Sequence, residues 1–379
     1  MKQSIKNIWY LLRSAGFFVF HGSAKIRIKN VNKIVIFQTA KLGDMVCTTP
    51  VFRALKVVYP NCQLIVIGNA LNKEVVSLNP DIDEYCVFED NISTILTLLK
   101  KRNFDAAILT VPNYTSLVSA YLAGIKTIVA PRITEGPTSL ETKPFKLLRN
   151  FTIVQNHPTG SYAPREYVRR LEVVNIFSSE TKKFLFFTEK ANKNANSLLM
   201  GKNGKILVGI SPAAGNRIKQ WPGERFGEVA DHLISMYGAE VFILGGQKDI
   251  KESNDMKNGM RDKNIVTDLT GALSVDELKA FISKLSLFIS VDTGPIYIAE
   301  AHDVPTIDIT GPIDEREQPP IGEKHRVVYI KNRIAPALHL MNAKVYDKEE
   351  ARRQTESITV KMVTSEIDDI FTSLKKYPS

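Results

Sequence analysis

The sequence predicts an α/β protein made of two successive doubly wound, Rossmann-like domains. Short β-branched apolar runs, typical of buried parallel strands, alternate with stretches of helical apolar periodicity. This alternation is interrupted near residue 188 and then starts again, and 379 residues are enough for two hydrophobic cores. Because open parallel sheets bind ligands at the carboxyl ends of their strands, we expect the two domains to face each other across a cleft.

The first series of elements predicts a βαβ unit with a right-handed crossover, because a helical stretch through Val51 and Leu55 separates two strand-like runs. A segment at 131–170 then interrupts the pattern, is rich in proline and basic residues, and predicts a long functional loop. The strand-like runs are KIVIF at 33–37, QLIVI at 63–67, and shorter runs at 106–110 and 127–129.

The second series follows a polar, Asn- and Lys-rich segment at 188–205, which predicts a linker and a lead-in helix. Pro222 and Pro295 are placed to open helices, because proline is tolerated in a first helical turn. The predicted strands are 206–210, 240–244, 287–291 and 306–309. The predicted division of the chain is an N-terminal segment 1–30, a first domain 31–187, a second domain 188–355 and a C-terminal helix 356–379.

The net charge of +10 predicts an anionic partner, and the first 33 residues contain no acid. Arg13 interrupts an apolar run that is too short to span about 30 Å of hydrocarbon, and the pattern after it is a poor signal-peptide cleavage site. We expect residues 1–22 to form a basic amphipathic helix on the inner membrane surface, or a helix packed on the protein itself. No nucleic-acid recognition motif accompanies the charge, so no nucleic-acid partner is expected. The apolar face of the helix would consist of Ile5, Trp9, Leu12, Gly16 and Val19.

The cysteines and histidines predict a reducing compartment, the cytoplasm, and no metal site. Cys47, Cys62 and Cys86 form no CxxC pair, and the six histidines are scattered without the spacing of metal ligands.

Two of four loops that follow predicted strands carry a candidate acid and a candidate cation. Gly43 would let the backbone turn sharply, and Asp44 would either cap the next helix, worth about 1 kcal/mol, or take a proton from a hydroxyl group. Taken alone, the cap is favoured. Lys219, in the loop SPAAGNRIKQWP, supplies a point charge for a phosphate or is a solvated lysine.

The other two loops predict contacts to a nucleotide. Asp249 follows paired glycines and suits a ribose hydroxyl, although a turn with a helix cap explains it equally well. Asp292, Thr293 and Gly294 precede a helix whose N-terminal amides attract phosphate without a metal ion. This last loop is the most specific of the four signals.

Taken together and in this order, the loops resemble glycosyltransferase family nine, the lipopolysaccharide heptosyltransferases. The motifs that carry the resemblance are KIVIFQTAKLGDMVCTTPVFRAL, SPAAGNRIKQWPGERF, DLTGALSVDEL and SVDTGPIYIAEA. The resemblance implies a GT-B fold, with the acceptor bound by the first domain and a nucleotide-diphosphate sugar by the second. It also implies inverting transfer that uses no metal ion and no other cofactor.

The resemblance assigns roles to individual residues. Asp44 matches the family's base. The basic segment at 131–170, which its composition predicts to be the acceptor-facing side of the first domain, supplies Arg165 and Arg169 as acceptor contacts. Tyr297 stands where the family usually has histidine; it can donate a hydrogen bond but carries no imidazolium charge, which leaves the donor sugar and purine open. The implied donor-binding residues are Gly43, Lys219, Asp249, Leu273, Asp292, Thr293, Gly294, Pro295 and Tyr297.

The function implied is transfer of heptose from ADP-heptose to a lipopolysaccharide core or related glycolipid at the inner face of a bacterial cytoplasmic membrane. Three alternatives stay open: another nucleotide sugar for a different surface glycan, a nucleotide-sugar epimerase of the same fold, and a non-catalytic binding protein. The basic amphipathic start argues against the epimerase, and the presence of both Asp44 and Lys219 argues against a non-catalytic protein.

Overall fold

The computed structural model describes residues 3–342 and 346–376, which divide into two compact units. Unit 1 comprises residues 3–182 and 341–342, and unit 2 comprises 183–340 and 346–376. The division after residue 182 lies close to the boundary predicted at 187. The C-terminal helix is part of unit 2 rather than a separate segment.

Unit 1 is built on a six-stranded parallel sheet with the order β3-β2-β1-β4-β5-β6. Its strands are β1 (Lys33–Gln38), β2 (Gln63–Gly68), β3 (Glu84–Val87), β4 (Ala106–Leu109), β5 (Thr127–Thr134) and β6 (Ile153–Pro158). Its helices are α1 (Gln3–His21), α2 (Leu42–Val46), α3 (Thr49–Val58), α4 (Ala70–Val76), α5 (Ile92–Lys100), α6 (Tyr114–Leu122), α7 (Lys143–Arg149) and α8 (Ala163–Arg169), and a 3-10 turn covers Arg170–Val174. The central strands β1 and β4 are buried along almost their whole length, as helices on both faces of a parallel sheet require.

The predicted long loop at 131–170 is wrong, because this segment contains the end of β5, α7, β6 and α8. Pro144 and Pro164 lie in the first turns of α7 and α8, where a missing N–H costs no intrahelical hydrogen bond. Proline density there marks the starts of helices, not a lack of structure.

Helix α1 packs on α6 and α7 of unit 1 through one face. Ser14 is buried, and the Phe17 ring contacts the Tyr121 ring with centroids 5.4 Å apart. The opposite face is exposed and apolar. Within residues 3–342 and 346–376, no helix combines the length and apolar character needed to cross a bilayer. The exposed apolar side chains of α1 are Ile5, Ile8, Trp9, Leu12, Phe18, Val19 and Phe20.

Unit 2 is a second six-stranded parallel sheet, with the order β12-β11-β10-β7-β8-β9. The two sheets confirm the predicted pair of doubly wound domains. The strands are β7 (Leu207–Ser211), β8 (Glu240–Ile243), β9 (Thr267–Asp268), β10 (Leu287–Val291), β11 (Thr306–Ile309) and β12 (His325–Val328). The helices are α9 (Glu189–Leu198), α10 (Gly223–Tyr237), α11 (Ile250–Asn258), α12 (Val275–Ile282), α13 (Gly294–Ala301), α14 (Lys348–Glu356) and α15 (Val360–Lys376), with short 3-10 turns at Arg217–Lys219 and Gln247–Asp249.

The end of the chain is part of the core of unit 2. Trp221 is fully buried, and its indole Nε1 donates to the carbonyl oxygen of Ile358 over 2.9 Å. Ile367 and Phe371 of α15 belong to the same apolar cluster as Val208 and Ile289 of the sheet. The loop that follows β7 is therefore anchored at its far end by Trp221.

Candidate functional site

Asp44 lies in the first turn of α2, directly after β1, the third strand of the unit 1 sheet. Its carboxylate Oδ2 accepts from the backbone N–H of Lys41 over 3.2 Å, and its Oδ1 accepts from the Tyr167 hydroxyl over 3.1 Å. The first of these bonds satisfies the N–H of Lys41, which is the N-cap of α2, from the third residue of the helix. The simpler interpretation, in which Asp44 is itself the N-cap, is therefore wrong. Gly43 is itself helical, so the expected sharp turn at that glycine is wrong. The side chain of Asp44 is thus held at both oxygens, with 8% of the residue exposed.

The loop before Asp44 is fixed by side-chain amides. The amides of Asn69 and Asn72 donate to the carbonyl oxygen of Ala40 over 2.8 and 3.0 Å, and Gln38 accepts from the Ala40 N–H over 3.1 Å. Because several donors and acceptors surround one peptide unit, this backbone is held in one conformation. The carboxylate of Asp44 is presented from a rigid support.

Tyr167 is a site residue that the sequence did not reveal. It lies on α8, is completely buried, and has the guanidinium of Arg170 5.2 Å from its ring centre. Burial and then the neighbouring Asp44 raise the pKa of Tyr167 well above its ordinary value, so the phenol stays protonated and donates a hydrogen bond to Asp44. Arg170 in turn lies 3.2 Å from Nδ1 of His157, and burial followed by the charges of Arg170 and Arg169 lowers the pKa of His157 to about 3.

The two arginines predicted to contact the acceptor differ in their surroundings. Arg169 is bound to both carboxylate oxygens of Glu166 on its own helix, at 3.0 and 2.9 Å, and lies 3.6 Å from Glu172. Arg165 is exposed on α8. Of the two, Arg165 is the more available to a ligand.

In unit 2, the predicted donor-binding residues follow the carboxyl ends of neighbouring strands. Lys219 follows β7, Asp249 follows β8, Leu273 follows β9, and Asp292 follows β10. These four strands are consecutive in the sheet, so the loops share one edge.

Lys219, Asp292 and Tyr297 form one contact group. The Lys219 ammonium donates to Oδ2 of Asp292 over 2.5 Å and lies 3.3 Å from the Asp292 carbonyl oxygen, while the Tyr297 hydroxyl donates to Oδ1. Asp292 and Tyr297 are buried, and 17% of the Lys219 side chain is exposed. Tyr297, at the position where the resemblance implies a histidine, is therefore a neutral donor to this carboxylate.

The turn that follows Asp292 opens α13. Thr293 is the N-cap in an extended conformation, and Gly294 and Pro295 form the first turn, all three half-buried. A Pro in the first turn has no N–H to lose, so the remaining amides and the helix dipole produce a positive end next to Lys219.

Asp249 lies in a second group of loop contacts on the same edge. Asp249 accepts from the Gly246 N–H over 2.7 Å, which makes it a turn cap. The Gly271 N–H donates to the Gly245 carbonyl oxygen over 2.8 Å, and Gly271 has a φ of +75°, which favours glycine. These bonds join the loops after β8 and β9, and the half-buried Leu273 follows the joined turn.

Comparisons with known proteins agree with this architecture. Residues 171–344 match the sequence model of glycosyltransferase family 9 (heptosyltransferase). The chain is 21% identical over 319 residues to lipooligosaccharide heptosyltransferase 2 of Haemophilus influenzae, with 78% of this chain and 88% of that relative covered. It is 26% identical over 286 residues to lipopolysaccharide heptosyltransferase 3 of Escherichia coli, with 72% and 80% covered.

Among solved structures, the crystal structure of a family 9 glycosyl transferase from Veillonella parvula matches with a TM-score of 0.74 at 20% identity, covering 90% of this chain and 98% of that one. The two parallel sheets and this likeness identify the fold as GT-B. The match to the family model and the heptosyltransferase relatives identify the chain as a glycosyltransferase. The resemblance to glycosyltransferase family 9 that its four motifs indicate is confirmed.

Proposed function

We propose that the chain transfers heptose from ADP-heptose onto a lipopolysaccharide core or a related anionic glycolipid, with inversion and without a metal ion or other cofactor in the chemical step. Two relatives that match more than 70% of the chain are named lipooligosaccharide and lipopolysaccharide heptosyltransferases, which supports this choice of substrates. The charges of unit 2 support the donor class.

The observation that carries the proposal is the meeting of Lys219 and the N-terminus of α13 at Asp292. A departing nucleoside diphosphate gains negative charge in the transition state, and a fixed ammonium with helix amides stabilises that charge more than the ground state. Asp292 holds the Lys219 side chain at this position in the free protein.

In unit 1 we assign the base to Asp44, which takes the proton from the acceptor hydroxyl during attack on the anomeric carbon. Its two hydrogen bonds, from Lys41 and Tyr167, fix the orientation of the carboxylate. We assign the acceptor's anionic groups to Arg165, because Arg169 is engaged by Glu166.

The donor is tested by thermal unfolding with ADP, UDP, GDP and ADP-heptose, since a ligand stabilises the state that binds it. We expect ADP and ADP-heptose to raise the melting temperature, and Lys219→Gln to remove most of that shift. Lys205→Gln, an exposed lysine of the same unit, is the control. A shift with UDP or GDP alone would instead favour another nucleotide sugar, which is the alternative that Tyr297 in the histidine position leaves open.

The assignment of Asp44 as the base is tested by incubating the protein with ADP-heptose and a heptose-deficient lipopolysaccharide core. The mass of the product is then measured by mass spectrometry. Asp44→Ala should abolish turnover and keep the stabilisation by ADP-heptose, while the exposed Glu89→Gln should behave as the wild type. Normal turnover in Asp44→Ala would rule out this base. Conversion of the nucleotide sugar without an acceptor would indicate an epimerase.

We further propose that α1 binds the protein to the inner face of the cytoplasmic membrane. Its exposed apolar stripe includes Leu12 and Val19, and Lys6 and Arg13 are exposed beside it, which suits an anionic leaflet. Sedimentation with phosphatidylglycerol vesicles should recover the wild type but not Leu12→Glu/Val19→Glu. The control Val57→Glu changes an equally exposed valine of α3, and equal loss of binding there would contradict the role of α1.

A further inference from the structure

Two acidic residues and one histidine of unit 2 meet in the segment that follows β11. The Nδ1 atom of His339 lies 3.6 Å from Oδ2 of Asp314 and 3.6 Å from Oε1 of Glu317. Ligand atoms of all three residues lie within 4.8 Å of one another. Asp314 and Glu317 are buried, and 21% of the His339 side chain is exposed. Sequence spacing did not indicate this group, because His339 is remote along the chain from both acids.

The spacing of these atoms suits a single cation. Zinc lies about 2.0–2.2 Å from imidazole nitrogen and carboxylate oxygen. Two ligands at that distance, separated by an angle near that of a tetrahedral site, are roughly 3.4–3.6 Å apart. The two distances from His339 Nδ1, 3.6 Å each, fall at this value, and the Asp314 and Glu317 oxygens lie within 4.8 Å of each other.

The backbone around the three residues is held in place. Asp314 N–H donates to the Leu338 carbonyl oxygen over 3.0 Å, and Leu338 N–H donates to the Pro312 carbonyl oxygen over 2.9 Å. The second oxygen of Glu317 accepts from the Leu340 N–H over 2.5 Å. These bonds keep the two segments in register on either side of His339, and a carboxylate fixed through its second oxygen is typical of a metal ligand.

An independent observation points to a positive ligand at the same place. Asp308 of β11 is fully buried, and neither of its carboxylate oxygens has a hydrogen-bond partner among the described residues. It lines a cavity together with Asp292, Asp314 and Glu317. The space left there for the centre of a water-sized sphere is about 10 Å³, which is enough for one water molecule or ion.

The charges around this cavity are unbalanced. Lys219 pairs with Asp292 and Arg316 pairs with Asp314, but the Asp308 carboxyl is bound by no cation of the described chain. Burying an uncompensated carboxylate is costly, so without a cation beside it the Asp308 carboxyl is held neutral, and a cation next to this cavity would stabilise its ionised form.

We propose that Asp314, Glu317 and His339 bind one divalent cation of the zinc class beside the Asp308 cavity. The cation links the start of the 311–340 segment to its end and so stabilises unit 2. Its ligands take no part in the proposed sugar transfer, although Asp292 also lines the cavity, so zinc titration and nucleotide-dependent melting test the two proposals separately.

The test uses the full chain after dialysis against a chelator, titrated with ZnCl₂ in a calorimeter and, in parallel, melted with and without ZnCl₂. We expect one Zn²⁺ per chain and a higher melting temperature of unit 2. His339→Gln and Glu317→Gln should each weaken binding by more than about 100-fold, which exceeds the effect of losing an outer partner. Both variants keep a polar side chain of related size, and their melting temperature without zinc verifies that they fold.

The matched control is Glu315→Gln, which lines the same cavity but pairs with Arg333. It should keep one-to-one binding within about threefold, which is less than the roughly 10–100-fold effect of losing an outer partner. If titration of the wild type with ZnCl₂ gives no heat of binding, the proposal is overturned, and the three residues form only an ion-pair cluster. Zinc binding that persists unchanged in both His339→Gln and Glu317→Gln would also overturn it, because the ion would then lie elsewhere, for example on the cysteines.

Discussion

The hydrogen bond from Tyr167 to Asp44 gives a prediction that depends only on the geometry of unit 1. Tyr167→Phe removes the hydroxyl and keeps the ring and its packing. The Tyr167 oxygen is 3.1 Å from Oδ1 of Asp44, the tyrosine is fully buried and the aspartate is 8% exposed, so water cannot readily replace the lost donor. A hydrogen bond to a charged group is worth about 1.5–3 kcal/mol. We therefore expect Tyr167→Phe to lower the free energy of unfolding of unit 1 by about 2 kcal/mol.

A double-mutant cycle with Asp44→Ala isolates this bond from the general effect of changing a buried tyrosine. Asp44→Ala also removes the cap on the Lys41 N–H, at a cost of about 1 kcal/mol. Once the carboxylate is absent, Tyr167→Phe no longer removes a hydrogen bond to a charged acceptor. Its additional cost in free energy of unfolding should then fall to about 0.5 kcal/mol or less. The expected coupling energy is about 1.5 kcal/mol.

The assay is native-state hydrogen exchange of peptides from β1 and β4, which reports the opening of unit 1 without interference from unit 2. Leu122→Ile, a buried and nearly isosteric change in the same unit, measures the scatter of the method. If Tyr167→Phe costs the same in the wild-type and Asp44→Ala backgrounds within about 0.5 kcal/mol, the two side chains are not coupled. The orientation of Asp44 by Tyr167 would then be refuted.

Three further predictions concern buried groups. Tyr297→Phe should destabilise unit 2 by roughly 2 kcal/mol in urea, because Asp292 loses a donor that is shielded from water. Burial and then the neighbouring Asp292 raise the pKa of Asp308 well above its ordinary value, so the native state keeps a proton that the unfolded chain releases. The free energy of unfolding therefore falls as the pH rises above about 4. Asp308→Asn should be more stable than the wild type at pH 7–8 in chelator-treated melts. The pKa of His157 is lowered to about 3 by burial and by Arg170, so stability is lost as the pH falls below about 6.5. His157→Gln should reduce this acid sensitivity by at most about 3 kcal/mol in melts between pH 7 and 4.

The strands and the loops that follow them were predictable because their signals are local. The runs KIVIF and LFISV read as buried strands and occupy β1 and β10. A residue placed directly after a central parallel strand must lie at the carboxyl edge of the sheet, so Asp44, Lys219 and Asp292 could be singled out without coordinates. The error at 131–170 arose because proline is compatible with both a loop and a first helical turn, and local sequence does not distinguish the two.

Contacts between distant segments were not predictable from local patterns. Tyr167 and Asp44 are separated by 123 positions, and the tyrosine belongs to the segment that was interpreted as a loop. His339 and its two acids meet only because Asp314 and Leu338 are bonded through their backbones. Asp308 lies in a correctly predicted strand, but a single acid in an apolar run does not reveal whether its carboxyl is paired.

The pairing of Asp292 with Lys219 bears on the proposed role of this lysine in binding a diphosphate. An ammonium with 17% of its side chain exposed would be costly without a counter-charge, and Asp292 supplies one at 2.5 Å. Tyr297 satisfies the other oxygen without adding positive charge, whereas a protonated histidine at this position would place a second cation beside Lys219. Under the proposed function, a diphosphate at Lys219 would compete with one carboxylate oxygen only, and we expect the Tyr297 bond to keep Asp292 in place. Replacing Tyr297 with histidine should accordingly strengthen diphosphate binding at low pH and leave it nearly unchanged at high pH. Calorimetric titration with ADP at pH 6 and pH 8 measures both affinities. Equal affinities at the two pH values would show that a charge at this position does not affect ligand binding.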